Sequence, residues 1–376
     1  MKRIFATLLI LVSGILAGAQ GFSTSGWWQP AGEKFSPVVH PDRSVTFRVT
    51  APEAAKVQLV FGEGKQLKVD MVKDAEGIWS TTIGPVEART YEYSFIVDGV
   101  KMPDMVNPEI KSGTEIYGSV LHVSGEQPLY DELTQVGSQV DIIKYRSSAL
   151  GTIRKVYVYV PACYYEEEIA LPVLYLRHGG GDNESSWVNS AYADNIMDNA
   201  VASGAARPML VVMTNGMTDG SWAGGSSVEG MTLLEKELLE DVIPLVERRY
   251  RVLEGAENRA IAGLSMGGGQ AYVIGMRNPD KFAYIANFCA GITADASFDH
   301  AAYGITCIDD AQEFNSMNRL LWISCGTQDP RHEGTQAFVK KLEGLGLHPQ
   351  YHELEFDHEW EFWRQQLRDL APYLFR

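Results

Sequence analysis

The sequence predicts an α/β domain preceded by a small all-β sandwich of the immunoglobulin-like kind. The chain has 376 residues, more than one hydrophobic core usually serves, so two domains are expected. Short alternating runs extend from about Phe22 to Val123, whereas strand-length apolar runs alternate with helical stretches from about Tyr130 onward. We therefore expect a sandwich over residues 20–125, a polar linker over residues 126–140 and an α/β domain over residues 141–376.

The first segment consists of runs such as "SVTFRVTAP", "KVQLVFG" and "TYEYSFIVDG", each of which fits a strand bounded by Gly, Pro or Asp. Residues 77–110 resemble the early-set domains that precede catalytic modules in many glycan-active enzymes, the family-48 carbohydrate-binding type. The resemblance implies glycan binding through exposed aromatics, with Trp27, Trp28 and Trp79 as candidates. The alternative is that Trp79 belongs to the core and the domain only packs against its neighbour.

Residues 1–19 have the pattern of a cleaved export signal. A positive head at Lys2 and Arg3 precedes an apolar run over residues 4–16 and a small-x-small pattern over residues 17–19. The alternative is a membrane anchor, but this run is short for a span of roughly 20 residues. We therefore expect an exported protein, secreted or periplasmic, without membrane insertion.

The bulk composition limits the partners of the chain. The formal net charge is −16, and removal of the two positive charges in the leader would leave −18. Phosphate binding needs a basic face, so nucleic acid is not expected as a partner. The composition leaves the oligomeric state open.

The four cysteines are widely spaced, and no pair has the spacing of metal ligands, so neither a metal nor a cofactor is expected. Export permits disulfides, and four cysteines allow three pairings. Cys325 lies in the buried-looking strand "LLWISCG", where a thiol usually acts as a small hydrophobe. We therefore favour mostly free, structural cysteines, located at Cys163, Cys289, Cys307 and Cys325.

The second segment alternates apolar strands with amphipathic helices. The strands include "RKVYVYVP", "LPVLYLRHGGG", "PMLVVMTNG" and "RLLWISCGTQD", and "MTLLEKELLEDVIPLVERRY" repeats apolar residues at helical intervals. This pattern predicts a mostly parallel sheet covered by helices on both faces.

Ser265 lies in "AIAGLSMGGGQ", which predicts a strand, a sharp turn and a helix. Gly263 and Gly267 flank it in the G-x-S-x-G order, in which a strained turn exposes a serine above the sheet edge. Taken alone, the motif is weak, because a glycine-rich turn with a solvated serine gives the same letters. Its place at a strand-to-helix junction favours an α/β-hydrolase fold with Ser265 as nucleophile.

A serine needs a base and an orienting acid, which follow the nucleophile in this fold in the order acid, then histidine. His358 is the predicted base, because it lies between the last strand-like run and a terminal amphipathic helix. Asp329 is the predicted acid, because it follows the strand "LLWISCG". Asp357 is the rival acid, although adjacent residues rarely face each other for a hydrogen bond.

Two backbone N–H groups should stabilise the oxyanion. One is expected from Met266, directly after the nucleophile. The other is expected from the glycine run after "LPVLYLRH", with Gly180 as first choice and Gly181 as second. His178 at the start of this run is read as structural support.

The region from about Val140 to Arg376 resembles the esterase-D-like serine hydrolases, most closely the family-1 carbohydrate esterases that include feruloyl esterases. The resemblance rests on "LRHGGGDNESSW", "ELLEDVIPLVERRYRV", "RAIAGLSMGGGQA", "GTQDP" and "HEW". It implies the same triad of Ser265, Asp329 and His358. The family usually has small residues before its histidine, where this chain has Phe356 and Asp357, and this departure bears on the pocket wall.

The predicted function is hydrolysis of feruloyl, or related hydroxycinnamoyl, esters on plant xylan. Trp187, Trp222 and Trp360 lie in loops expected above the sheet and are candidates for the substrate pocket. Acetyl-xylan esterase and siderophore esterase stay open, as does a glycan-binding protein with an inactive hydrolase domain. The domain split also predicts that the sandwich is dispensable for small soluble esters.

Overall fold

A computed structural model describes residues 36–134 and 137–376. The predicted leader and the candidate glycan contacts Trp27 and Trp28 lie outside the described residues. Within the described part, no helix has the length and apolar character needed to cross a membrane.

The first domain is a two-sheet sandwich with strand orders β1-β2-β6-β5 and β4-β3-β7-β10-β9, and β8 pairs with β7. All pairings are antiparallel, as short alternating runs predict. The strands are β1 Val38–Val39, β2 Val45–Thr50, β3 Val57–Phe61, β4 Leu67–Asp70, β5 Val72–Lys73, β6 Ile78–Ile83, β7 Arg89–Val97, β8 Val100–Met102, β9 Ile110–Ser112 and β10 Ile116–Val123.

Aromatic side chains dominate the core of the sandwich, where Phe47 packs within 4.8 Å of Tyr93 between ring centroids. Trp79 belongs to the same core, since 8% of it is exposed and its indole N–H donates to the backbone oxygen of Ala51 at 2.9 Å. Trp79 as a glycan-binding platform is therefore wrong, and the core alternative holds for this residue.

The second domain has an eight-stranded sheet in the order β11-β12-β14-β13-β15-β16-β17-β18. The pairs β11–β12 and β12–β14 are antiparallel and the remaining five pairs are parallel. The strands are β11 Gln139–Arg146, β12 Ile153–Val160, β13 Val173–Arg177, β14 Leu210–Thr214, β15 Arg259–Leu264, β16 Tyr284–Phe288, β17 Leu320–Gly326 and β18 Pro349–Leu354.

Helices cover both faces of this sheet, which explains why every residue of β13, β14, β16 and β17 is buried. The architecture is that of an α/β hydrolase, as predicted. The α-helices are α1 Cys163–Glu166, α2 Ser186–Asn189, α3 Ala193–Ala202, α4 Val228–Lys236, α5 Ile243–Arg249, α6 Ser265–Arg277, α7 Gly291–Ala294, α8 Ala311–Met317, α9 His332–Gly344 and α10 Trp360–Leu370, and a π-helical turn, Glu237–Val242, joins α4 to α5.

The segment between the two domains is fastened to the second one. The Tyr130 hydroxyl donates to Oε1 of Glu361 in α10 at 2.7 Å. The amide of Asn199 in α3 donates to the backbone oxygens of Tyr130 and Glu132. Residues 130–132 of the predicted linker thus form a strap that packs against the second domain.

Candidate active site

Ser265 occupies the sharp turn between β15 and α6, with φ at +72°. A left-handed backbone is strained for a residue with a Cβ, and such strain concentrates at functional turns. A Cβ added at Gly263 would lie 2.3 Å from the backbone oxygen of Gly267. A Cβ added at Gly267 would lie 2.3 Å from the backbone oxygen of His178. Only glycine therefore fits on either side of the serine.

The three residues of the predicted triad form one hydrogen-bonded chain. Oγ of Ser265 lies 3.0 Å from Nε2 of His358. Nδ1 of the same imidazole lies 2.5 Å from Oδ2 of Asp329. The ring can accept the serine proton at one nitrogen while the carboxylate fixes the tautomer at the other.

The Asp329 carboxylate is fully buried and well supplied with donors. The backbone N–H of Arg331 donates to its Oδ1 at 2.8 Å, and the guanidinium lies 3.3 Å away. Burial by itself would raise the pKa of Asp329, but the hydrogen bond and charge of His358 outweigh it and lower that pKa to about 2. The carboxylate therefore stays ionised.

An orienting acid would have to bind the imidazole of His358, but the Asp357 carboxylate binds the main chain of that residue. Its Oδ1 accepts the backbone N–H of His358 at 2.8 Å. It thus holds the main chain of the loop that carries His358, while the imidazole itself turns to Asp329.

Cys289 is a neighbour of the triad that the sequence reasoning missed. Its sulfur belongs to a group with His358 and Asp329 whose ligand atoms lie within 4.8 Å of one another, although cysteine spacing predicted no such cluster. Burial raises the pKa of the Cys289 thiol far above its usual range. All four cysteines are free, as favoured from the sequence.

The glycine run after β13 lies beside Ser265, because a Cβ added at Gly179 would come 3.5 Å from that of the serine. The N–H of Gly181 donates to the Trp222 backbone oxygen at 2.7 Å and is therefore occupied. Within the described residues the Gly180 N–H has no protein acceptor. The structure thus favours Gly180 over Gly181 as a donor to a bound oxyanion.

His178 is buried and braces this loop. Its Nε2 accepts the Gly216 N–H at 2.8 Å, and its Nδ1 lies 2.8 Å from the Gly179 oxygen. Burial lowers the pKa of His178 to about 4, so the ring is neutral at pH 7. These contacts agree with a structural role.

A cleft of about 270 Å³ opens beside His358 between the two domains. It combines aromatic rings with carboxylates and ammonium groups, a mixture suited to a ligand with apolar and hydroxylated parts. The second domain contributes Gly180, Gly181, Asp182, Trp222, His358, Trp360 and Trp363, and the sandwich contributes Glu63, Gly64, Gln66, Glu92, Lys101 and Lys111.

The three candidate tryptophans have different environments. Trp222 is 58% exposed at the cleft, and a Cβ on Gly180 would approach its ring to 2.9 Å. Trp360 lines the cleft although it is 2% exposed. Trp187 is 1% exposed, with its N–H donating to the Arg177 oxygen, so it packs behind Trp360. The expectation that Trp187 lines the pocket is therefore wrong.

The sequence reasoning also missed the contribution of the sandwich to the cleft. Glu63 and Lys111 reach loops of the second domain more than seventy positions away, at Trp360 and Asp182 respectively. No motif or spacing marks such contacts, because a predicted domain boundary separates the partners.

A larger cavity of about 670 Å³ lies elsewhere, between the strap, α3 and the C-terminal end of the chain. It contains aromatic residues such as Trp322 and Tyr373 but no triad residue. Because none of Ser265, His358 and Asp329 lines this cavity, it is not the candidate active site.

A family model described as "Putative esterase" matches residues 147–374, which is more than half of the chain. A curated relative, the endo-1,4-beta-xylanase/feruloyl esterase of Xylanibacter ruminicola, is 29% identical over 354 residues, covering 90% of this chain. Endo-1,4-beta-xylanase Y of Acetivibrio thermocellus is 27% identical over 38% of this chain. The chain spans only 46% and 14% of the lengths of these two relatives.

Solved structures match in two ways. A ferulic acid esterase from Anaeromyces mucronatus in complex with ferulic acid is 25% identical, with a TM-score of 0.55, over 65% of this chain and 93% of its own. The enterobactin esterase of Shigella flexneri is 16% identical, with a TM-score of 0.65, over 93% of this chain and 97% of its own. The second likeness shows that both domains share a fold with that protein.

Proposed function

This chain belongs to the esterase family and is a carboxylic ester hydrolase, and we propose that it releases feruloyl or related hydroxycinnamoyl groups from plant xylan. The observation that carries the reaction is the hydrogen-bonded chain of Ser265, His358 and Asp329 at the cleft. The observation that carries the substrate is the similarity to proteins named for feruloyl ester hydrolysis over 90% and 65% of the chain.

In the proposed first step, Oγ of Ser265 attacks the ester carbonyl carbon while Nε2 of His358 takes the hydroxyl proton. The carbonyl oxygen becomes an oxyanion, which the N–H groups of Gly180 and Met266 bind. Collapse of the tetrahedral intermediate breaks the bond to the sugar oxygen, which leaves with the proton from His358. Asp329 stabilises the imidazolium between these events.

In the second step a water molecule replaces the sugar. His358 takes a proton from the water as its oxygen attacks the acyl-serine carbonyl. The second tetrahedral intermediate expels Ser265, which recovers its proton from His358, and ferulic acid is released. Neither step draws on a metal or cofactor.

The cleft supports an ester of an aromatic acid with a sugar. The exposed Trp222 ring offers a flat apolar surface, and the carboxyl groups of Glu63 and Glu92 can accept hydrogen bonds from sugar hydroxyls. An anionic iron–catecholate complex would need a net cationic rim, whereas the carboxylates of Glu92 and Asp182 here oppose the ammonium groups of Lys101 and Lys111. This balance favours xylan esters over siderophore esters.

The test is hydrolysis of methyl ferulate, 4-nitrophenyl acetate, feruloylated xylan fragments and a catecholate siderophore ester by the full-length protein. We expect ferulate release well above the release of acetate or catecholate. Acetate release alone would replace the proposal with an acetyl esterase, and preferred cleavage of the siderophore ester would replace it with that activity. The Ser265→Ala variant supplies the background rate.

A further inference from the structure

Two loops flank Ser265, and both are held by the sandwich domain. The histidine loop, residues 356–360, carries His358 into α10. The glycine loop, residues 178–182, carries the Gly180 N–H. Each loop has direct hydrogen bonds or ion pairs to sandwich residues, so the geometry around the nucleophile depends on both domains.

Glu63 of the sandwich caps the helix that follows His358. The first N–H groups of any helix lack intrahelical acceptors. The residue before α10, Glu359, provides no side-chain cap. Oε2 of Glu63 instead accepts the Trp360 N–H at 2.7 Å, and Arg89 adds an ion pair to Glu359 at 3.7 Å.

Lys111 of the sandwich holds the glycine loop. Its Nζ donates to Oδ1 of Asp182 at 2.7 Å and lies 3.2 Å from Oε1 of Glu92. Lys111 is 5% exposed. These carboxylates raise the pKa of Lys111 although burial opposes its charge, so the ammonium is protonated. The Thr114 N–H adds a backbone hydrogen bond to the Gly181 oxygen at 2.8 Å.

One contact joins the two loops. The Lys111 ammonium lies 4.5 Å from the centroid of the Trp360 ring, within the range of a cation–π interaction. The same charged group therefore touches the residue after Gly181 and the first residue of α10. A shift of the sandwich would move both loops relative to Ser265.

We propose that Glu63 and Lys111 are positioning residues, through which the sandwich sets the distance of His358 and of the Gly180 N–H from Ser265. This inference rests on the proposed serine mechanism. It reverses the expectation that the sandwich is dispensable for small esters. A misplacement of about 1 Å in such a site can lower a rate about a hundredfold, whereas a domain that only binds polymer would leave small substrates unaffected.

The first test uses Glu63 and 4-nitrophenyl acetate, a substrate too small to need the sandwich for binding. We expect Glu63→Ala to lower kcat roughly 10- to 100-fold with KM changed less than about threefold. Glu63→Gln keeps an acceptor for the Trp360 N–H and should restore most of the rate. Glu53→Ala, at an exposed site of the same domain, is the matched control.

The second test uses Lys111. Replacement of Lys111 alone would leave Asp182 buried and unpaired, so the double variant Lys111→Met/Asp182→Asn removes both charges together. We expect it to keep its fold by circular dichroism and to lower kcat at least about tenfold. Labelling of Ser265 by a fluorophosphonate should slow in parallel. Lys68→Met, exposed on β4, is the control.

The outcomes separate this inference from the mechanism beneath it. An unchanged rate of hydrolysis in the Ser265→Ala variant would refute the serine mechanism itself. Hydrolysis that depends on Ser265, with wild-type kcat in Glu63→Ala and in the Lys111 double variant, would overturn the positioning role alone. Equal losses in Glu63→Ala and Glu63→Gln, with unchanged melting temperatures, would also overturn it, because the Trp360 N–H would then not need an acceptor.

Discussion

The serine turn and the inter-domain cleft are adjacent but built differently. The turn and its partners come from three segments of one domain, each at the carboxyl end of a parallel strand or in the loop beyond it. The cleft is assembled from residues on both sides of the predicted domain boundary. The reacting groups therefore depend on local strand-and-turn patterns, whereas their surroundings depend on how two domains meet.

Two carboxyl groups show the physical side of this difference. Burial raises the pKa of both, but His358 and Arg331 supply enough donors to lower the pKa of Asp329 to about 2. Glu63 in the cleft is half-buried beside Glu92, and burial together with that negative charge raises its pKa to about 8. At pH 7 the first of these carboxyl groups is therefore ionised and the second is largely neutral.

The largest effect should come from the nucleophile. We expect Ser265→Ala to lower kcat by roughly 10⁶, as loss of a triad serine does in other hydrolases. Steady-state hydrolysis of methyl ferulate measures it, with the exposed Ser297→Ala as control. Retention of even a tenth of the wild-type rate would show that another group attacks the ester.

The second largest loss of kcat should come from replacement of the predicted acid, Asp329. Asp329→Asn leaves the shape of the site but favours the wrong tautomer of His358, so we expect kcat to fall roughly 10³- to 10⁴-fold. Asp357→Asn keeps an oxygen for the His358 N–H and should cost less than about tenfold. The reverse ranking in the same assay would transfer the acid's role to Asp357.

The sequence predicts the triad because the hydrolase fold constrains its own chemistry. A serine between Gly263 and Gly267 can only occupy a turn that excludes side chains on both flanks. Asp329 and His358 follow two neighbouring parallel strands, one buried and one half-buried. Their side chains therefore lie close together at the same edge of the sheet. The same reasoning predicts Gly180 as the first choice of oxyanion donor, and the hydrogen bond from the Gly181 N–H to the Trp222 oxygen agrees with that choice.

The same reasoning fails wherever packing decides the outcome. The sequence does not distinguish a tryptophan that lines a cleft from one buried beneath it. It therefore predicts the same role for Trp187 and Trp222, although their exposed fractions are 1% and 58%. For the same reason the sequence does not show that Trp79 is buried in the sandwich core and unable to serve as a glycan-binding platform. The sequence does not reveal the roles of Glu63 and Lys111, because their partners lie in the other predicted domain.

The raised pKa of Glu63 predicts that the protein loses stability as the pH rises toward 8. Its folded pKa of about 8 exceeds its ordinary value of 4.5, so the stability due to the neutral form is complete below about pH 4.5 and is lost as the pH rises through 8. Between pH 5 and 8.5 we expect wild type to lose about 2 kcal/mol more than Glu63→Gln. Solvent access to this half-buried group keeps the difference below the full shift.

Urea unfolding of both proteins at the two pH values measures this difference. Asp329 does not contribute over the same window, because its lowered pKa confines its own loss of stability to pH values falling from about 4 toward 2. Equal stability losses in wild type and Glu63→Gln would show that the Glu63 carboxyl is already ionised at pH 5.

The smallest effect should separate binding from positioning at the cleft. Trp222 holds the glycine loop through its backbone oxygen, which a side-chain change leaves in place, while its exposed ring faces the cleft. We expect Trp222→Ala to raise KM for methyl ferulate roughly tenfold with little change in kcat, and Trp222→Phe to recover part of the loss. This pattern is the opposite of that expected for Glu63→Ala. A fall in kcat at constant KM would instead mean that the indole supports the Gly180 loop, and would contradict the proposed contact between this ring and the feruloyl group.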